Sequence, residues 1–268
     1  MRFSSTKKGE GLRSFPFFAI YLAQWFVVAD TNMTFTEHLE DLRWCLLKAF
    51  LAVVLVSALC YVFADTIFTV MVAPLMAQLR PGESLIGTGV AEAFFIEIKV
   101  ALLAGLVFSC PYIFFQVWRF IAPGLSGGEK RLVVPFVFCA TLFFVGGSYF
   151  CYRIVLPVAF KYFIDQYQIM GVAPAIRIGE YFTFFFRMVL AFGVTFELPV
   201  FTFFLVRLGV WNYRLMIRFF RYAIVVIFIM AAMLTPTPDV INQSLLALPM
   251  LFLYVVSIGV AYVWRRKD

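Results

Sequence analysis

Long apolar runs separated by short polar intervals dominate this chain. A membrane-spanning helix needs about 20 mostly apolar residues, and six stretches approach that length: Cys45–Ala64, Ile98–Ile121, Val133–Leu156, Phe182–Leu208, Tyr222–Leu234 and Leu245–Trp264. Pro111 predicts a kink in the second, and Gly193 and Pro199 interrupt the fourth. The fifth covers only about 20 Å at helical rise, against a hydrocarbon core of about 30 Å. Either its polar flanks extend the helix or the bilayer thins beside it. Two intervals, Asp65–Glu97 and Pro157–Tyr181, are too long for simple turns and predict a structured cap on one side of the membrane. The interval after the second run is short and carries Pro123, Gly124, Gly127 and Gly128.

Composition agrees with lipid as the solvent. Hydrophobic residues make up 63% of the 268 and charged residues only 14%, well away from the roughly 45–50% and 25% of soluble domains. The net charge of +7 would raise nucleic acid as a partner in a soluble protein, but no basic stripe with interleaved aromatics accompanies it. The basic residues instead set the topology. Sixteen of the 22 Lys and Arg fall before and within the start of the first run, in the 2–3 and 4–5 intervals, or after the sixth run. By the positive-inside rule those are the cytoplasmic segments. The expected fold is an all-α membrane protein of six transmembrane helices, with both termini cytoplasmic and the two long intervals outside.

The first 32 residues stand apart. Phe15–Ala29 is an apolar stretch behind a basic start, similar to a signal-peptide core and short for a span. Were it to span, the downstream charge rule would break. It reads as an interfacial or cleaved extension, or as an upstream start, with Met33 an alternative one. The expected layout is therefore an extension at 1–32, a membrane domain at 33–264 and a basic tail at 265–268.

Enzyme motifs do not accompany these runs. His38 is the single histidine, which excludes an H-E-x-x-H zinc site, and there is no G-x-x-x-x-G-K-[ST] phosphate loop. No G-x-S-x-G nucleophile elbow occurs. Cys45, Cys60, Cys110, Cys139 and Cys151 are solitary, without a C-x-x-C pair, and read as buried apolar cysteines with no metal or redox role. No cofactor is implied.

Three acidic places remain. Thr34-Phe35-Thr36-Glu37 matches a capping box, so a helix should start there, just ahead of Glu40, Asp41 and Arg43. Leu39 and Leu42 share a face at three-residue spacing, leaving Glu40 and Asp41 to project toward the cytoplasmic surface; spacing alone makes this a solvated turn. Glu129 opens the third helix, where an acid suits the helix dipole. Glu197 lies inside the fourth run. A carboxylate at membrane depth costs several kcal/mol, so Glu197 must face protein, a water-filled cavity or a partner.

The stretches His38–Arg43, Ala73–Leu75, Gln116–Leu125, Glu129–Pro135, Phe192–Val200 and Leu234–Asp239, in this order and in register with six helices, resemble TatC, the multispanning subunit of the twin-arginine protein export pathway. The resemblance implies a concave, glove-like array that binds consecutive arginines in the signal peptides of folded cargo. It also implies small single-span partners of TatA and TatB type, more than one copy of the chain in the receptor complex, transport driven by the proton-motive force without ATP, and a bacterial inner membrane or an organellar membrane descended from one. Two guanidiniums need carboxylates that accept bidentate, charge-assisted hydrogen bonds. By position these are Asp41 and Glu129, with Glu40 beside them. Asp41 departs from the Glu usual in the family. The resemblance also makes Glu197 an intramembrane polar point, puts Thr235 and Gln243 where partner helices dock, and gives Arg43, Pro74, Pro123 and Asp239 structural parts. At that partner-facing end two further departures occur: Val255 follows Tyr254 where the family often has an acid, and Thr237 lengthens the Pro-Pro-Asp turn. A proton-coupled solute transporter that uses Glu197 as a relay is the alternative. It would predict paired broken helices in two similar halves, and no internal repeat is present.

Overall fold

A computed structural model describes residues 35–121, 133–235 and 239–264. Glu129, Pro123, the 1–32 extension and the 265–268 tail lie outside the described residues. Six segments are long and apolar enough to cross a membrane: Thr36–Tyr61, Glu92–Ile121, Val134–Ile169, Ile178–Arg207, Tyr213–Leu234 and Val240–Val263. They are built from α1 (Phe35–Tyr61), α3 (Glu92–Ile121), α4 (Val133–Phe150) continuing into α5 (Leu156–Ile169), α6 (Ile178–Phe196) with α7 (Leu198–Arg207), α8 (Tyr213–Leu234) and α9 (Val240–Val263). A shorter helix, α2 (Ala64–Met76), follows the first span. β structure among the described residues is one parallel bridge between Ile86 and Arg177.

The helices reach further than hydropathy predicts. α1 begins at Phe35 and not at Cys45, directly after the capping-box threonine. The third span runs to Ile169 because Pro157 does not stop it. A π-helical turn over Cys151–Val155 precedes the proline, and the Leu156 N–H reaches back five residues to the Cys151 carbonyl, absorbing the ring in a widened turn. α8 has 22 residues, about 33 Å at helical rise, so its polar flank extends it; Asn212 caps its first turn by accepting from the Arg214 N–H. Gly171 and Gly209, at φ +68° and +74°, end α5 and α7 in left-handed turns that a side chain would strain.

The spans form an open row. α1 packs along α3, α3 against α4, α4 against α6, and α9 against both α7 and α8. The α1–α3 contact is close at Gly105, where a Cβ would lie 2.6 Å from Ser57 Cα, and the α4–α6 contact is close as well. A Cβ on Gly147 would lie 2.6 Å from Phe196 Cγ and 2.8 Å from the Phe192 carbonyl oxygen, and one on Gly193 would lie 2.8 Å from Phe144. Two glycines thus let the central helices approach at backbone distance. The main core fills the half of the molecule away from Asp41, around Leu75, Val100, Leu156, Tyr181, Phe185 and Met188. A second cluster of Trp118, Phe136, Ala140, Val200 and Phe204 closes the other half.

One sequence expectation about the cysteines is corrected. Cys45, Cys60, Cys110 and Cys151 are buried, but Cys139 is exposed, since its face of α4 turns away from α3 and α6.

Candidate functional site

At the end of the array that carries Asp41, the first turns of α1 lie against the last turn of α3. The His38 ring stacks on Phe120 with centroids 4.3 Å apart and planes 17° from parallel. Cys45, one turn above Asp41, is buried and lies within electrostatic reach of both Asp41 and Arg119. The packed face of α1 therefore follows His38, Asp41 and Cys45 at helical spacing. Asp41 is half-buried on that face, whereas Glu40 and Arg43 are exposed. Glu40 projects outward as expected, but Asp41 does not, and Leu39 is turned outward in its place, because the aromatic contact at His38 fixes the rotation of the helix. Directly beyond Ile121, the chain that continues to Val133 holds Glu129.

Glu197 occupies a break. The fourth span divides into α6 and α7 at Glu197, with Pro199 in the first turn of α7, where its missing N–H costs nothing. Only 3% of the Glu197 surface is exposed, and neither carboxyl oxygen has a hydrogen-bond partner among the described residues. Cys110 of α3 and Phe144 of α4 are its neighbours. The Ser148 hydroxyl, on the next turns of α4, is buried and equally without a partner. A buried polar group without a hydrogen bond is costly, so this seam of α3, α4 and α6 holds acceptors with hydrogen-bonding capacity left open among the described residues.

At the opposite end the predicted cap is built from side chains that bond backbone. Pro74 is buried inside α2 and has no N–H to offer the Val70 carbonyl one turn back. The Tyr152 hydroxyl donates to that freed oxygen at 2.8 Å, and the Tyr181 hydroxyl donates to the Met71 carbonyl at 2.6 Å. The structural part expected of Pro74 thus becomes specific: it frees the Val70 carbonyl on α2 for a tyrosine of the third span. Glu92, at the start of α3, takes the Thr88 N–H (2.6 Å) and Gly89 N–H (3.0 Å) on one oxygen and the Gly179 N–H (3.0 Å) on the other. Beside it the Ile86 N–H donates to the Ile176 carbonyl and the Ile178 N–H to the Ile86 carbonyl. The two long intervals are thereby one unit.

Asp239 joins the α8–α9 turn to the same cap. It caps α9 by accepting from the Asn242 N–H at 2.9 Å and accepts from the Tyr162 hydroxyl of α5. Thr235 bonds back to the Ala231 carbonyl within the last turn of α8, whereas the Gln243 amide donates to the Phe228 carbonyl at 2.8 Å and so fastens α9 to α8. Sequence reasoning missed Glu92, Tyr152 and Tyr181. The one signal for Glu92 was an acid at a helix start behind Thr88-Gly89, and nothing local singled out the tyrosines. Among the described residues no group of His, Cys, Asp and Glu is arranged to hold a metal.

The family model for the Sec-independent protein translocase protein TatC matches residues 37–249. The chain belongs to the TatC family. TatC proteins of the bacteria Desulforapulum autotrophicum and Campylobacter jejuni are 40% and 41% identical to it. The first alignment covers 89% of this chain and 87% of the relative, the second 82% and 90%. A crystal structure of the twin arginine translocase receptor TatC superposes with a TM-score of 0.77 at 34% identity, covering 85% of this chain and 99% of that one. As a TatC, the chain is a multi-pass protein of the bacterial inner membrane and a component of Sec-independent protein translocation. No comparison supports the solute-transporter alternative.

Proposed function

We propose that the chain is the signal-peptide receptor subunit of a twin-arginine translocase, with the Asp41 end in the cytoplasm and the cap outside. The observation that carries this is the placement of Asp41. It sits on the face of α1 that packs beside the end of α3, next to the segment that bears Glu129, so two carboxylates from separate elements can converge on one peptide. Consecutive arginines give two planar forks, each able to bond a carboxylate through paired N–H groups. Exposed Glu40 lies one residue away and widens the acidic surface. The shorter Asp41 side chain brings the bound guanidinium closer to α1. Single-span proteins of TatA and TatB type dock along the α8–α9 hairpin near Thr235 and Gln243, and further copies of the chain complete the receptor. Glu197 supplies polar acceptors inside the membrane for water or a partner helix during passage. No step of this work requires catalysis, a cofactor or nucleic acid; the proton-motive force drives transport.

The test is photo-cross-linking of a twin-arginine signal peptide to the full chain in membranes. Asp41→Ala and Glu129→Ala should each weaken the cross-link severalfold, and a twin-lysine peptide should bind the unaltered chain poorly. Cross-linking unchanged in both variants would remove the site assignment.

A further inference from the structure

α8 carries three arginines, Arg214, Arg218 and Arg221, at the i, i+4 and i+7 positions of one face. That face points away from the protein. Met216 is two residues, about 200° of helix rotation, from both Arg214 and Arg218, and Met216 is buried with Val206 and Ala261. All three arginines are exposed. Arg214 donates to the Tyr213 hydroxyl and Arg221 to that of Tyr222, but among the described residues no carboxylate pairs with any of them. α7, α8 and α9 contain no Asp or Glu at all.

The depth of the stripe makes it unusual. Tyr254 of α9 fixes the level of α8, donating to the Met216 carbonyl at 3.1 Å and lying 6.0 Å from the Phe220 ring. From Tyr254 to the end of α9 at Val263 is nine residues, about 13 Å. Over that length α9 has no charge and exposes Val255, Tyr262 and Val263. At the same level α8 exposes Ile217 and Phe219 between the arginines, and Val225 and Val226 on the next turn. Tyr213 and Tyr262 pack edge to face, with centroids 5.4 Å apart, at the height of the first arginine, where an aromatic belt marks the lipid interface. Arg218 and Arg221 are one and two turns deeper, in a surface otherwise suited to hydrocarbon. Helical side chains lean toward the N-terminus, so both guanidiniums incline back toward the headgroups.

We infer that this stripe is a binding site for anionic phospholipid, whose phosphate oxygens accept from Arg218 and Arg221 while its chains lie on Val225 and Ile229. An arginine at a membrane surface favours anionic lipid by about fivefold. Two together should give about a tenfold or greater preference over zwitterionic lipid. The site is independent of where cargo arginines bind.

The test uses the full chain in phosphatidylcholine bilayers containing a minor fraction of phosphatidylglycerol. Spin-labelled phosphatidylglycerol or phosphatidylcholine reports the immobilised lipid shell. The unaltered chain should hold the labelled anionic lipid about tenfold better than the zwitterionic one. The double variant R218Q/R221Q should bring the ratio close to unity, R218K/R221K should keep most of it, and R153Q/R187Q, which removes two exposed cap-side arginines, should leave it unchanged. Should R218Q/R221Q not fold, raising salt from about 0.05 M to about 0.5 M must erode the preference of the unaltered chain severalfold. A ratio near unity in the unaltered chain, no loss in R218Q/R221Q, or no salt effect overturns the proposal. An unchanged lipid ratio with loss of a co-purified single-span partner also overturns it, since the stripe would then be a protein contact.

Discussion

The two ends of the molecule are held by different means. At the cap end, tyrosine hydroxyls and the Glu92 carboxylate bond to backbone groups far away in sequence: Tyr181 to Met71, Tyr152 to Val70, Glu92 to Gly179. Every long interval there is tied to a helix of another span. At the Asp41 end, the contacts are ring against ring, His38 on Phe120 and Trp118 on Phe136 and Phe204, with Asp41 half-buried beside them and Glu40 exposed. Fixed acceptors make a scaffold, whereas carboxylates with open hydrogen-bonding capacity make a surface that recognises something else. Glutamate thus serves the scaffold at one end through Glu92, whereas Glu40 at the other is exposed.

The largest effect on stability should come from opening the clamp. Glu92→Ala strands three backbone N–H groups that belong to both long intervals, and an unsatisfied group costs about 1–3 kcal/mol when buried. These are partly exposed, so a clear drop in the unfolding midpoint is expected, larger than for the changes below, read by thermal unfolding in detergent. Glu92→Gln, which keeps acceptors on one atom only, should fall between. Equal stability of Glu92→Ala and the unaltered chain would erase the contrast between the ends.

A smaller effect sharpens the explanation of Pro74. Tyr152→Phe removes the donor to the Val70 carbonyl and should cost about 1 kcal/mol. In a Pro74→Ala background that carbonyl regains a helical N–H partner, so Tyr152→Phe should become nearly neutral. A double-mutant cycle should then give a coupling of about 0.5–1 kcal/mol. Additive losses would show that the tyrosine is held by packing alone.

The smallest stability change is expected at the open end. Asp41→Asn should shift unfolding by less than about 0.5 kcal/mol while it weakens the signal-peptide cross-link. A large destabilisation there would make Asp41 another scaffold residue and end the comparison.

Much of the fold was legible along the chain because its cause is local. Bilayer thickness selects runs of apolar residues, and a proline or a capping box marks a boundary within a few positions. That reading reached the six spans, the cap, the helix start at Phe35 and the buried state of Glu197. It misplaced helix ends at Tyr213, Ile169 and Ile178 because polar residues continue a helix that hydropathy ends. The rotation of α1 was beyond it as well, since the His38–Phe120 contact joins residues that lie 82 positions apart.

The sequence by itself determined that this protein is a six-span TatC-like membrane protein with acids in three places, since hydropathy, charge bias and motif order are properties of neighbouring residues. Only the tertiary structure decided what each polar group does. It assigned Glu92 and the tyrosines to the cap, left Glu197 enclosed without a hydrogen-bond donor among the described residues, and exposed Arg218 and Arg221 on the outward face of α8. The physical reason is that a hydrogen bond or a membrane depth is fixed by which helices lie side by side, and the order of residues along one helix does not contain that.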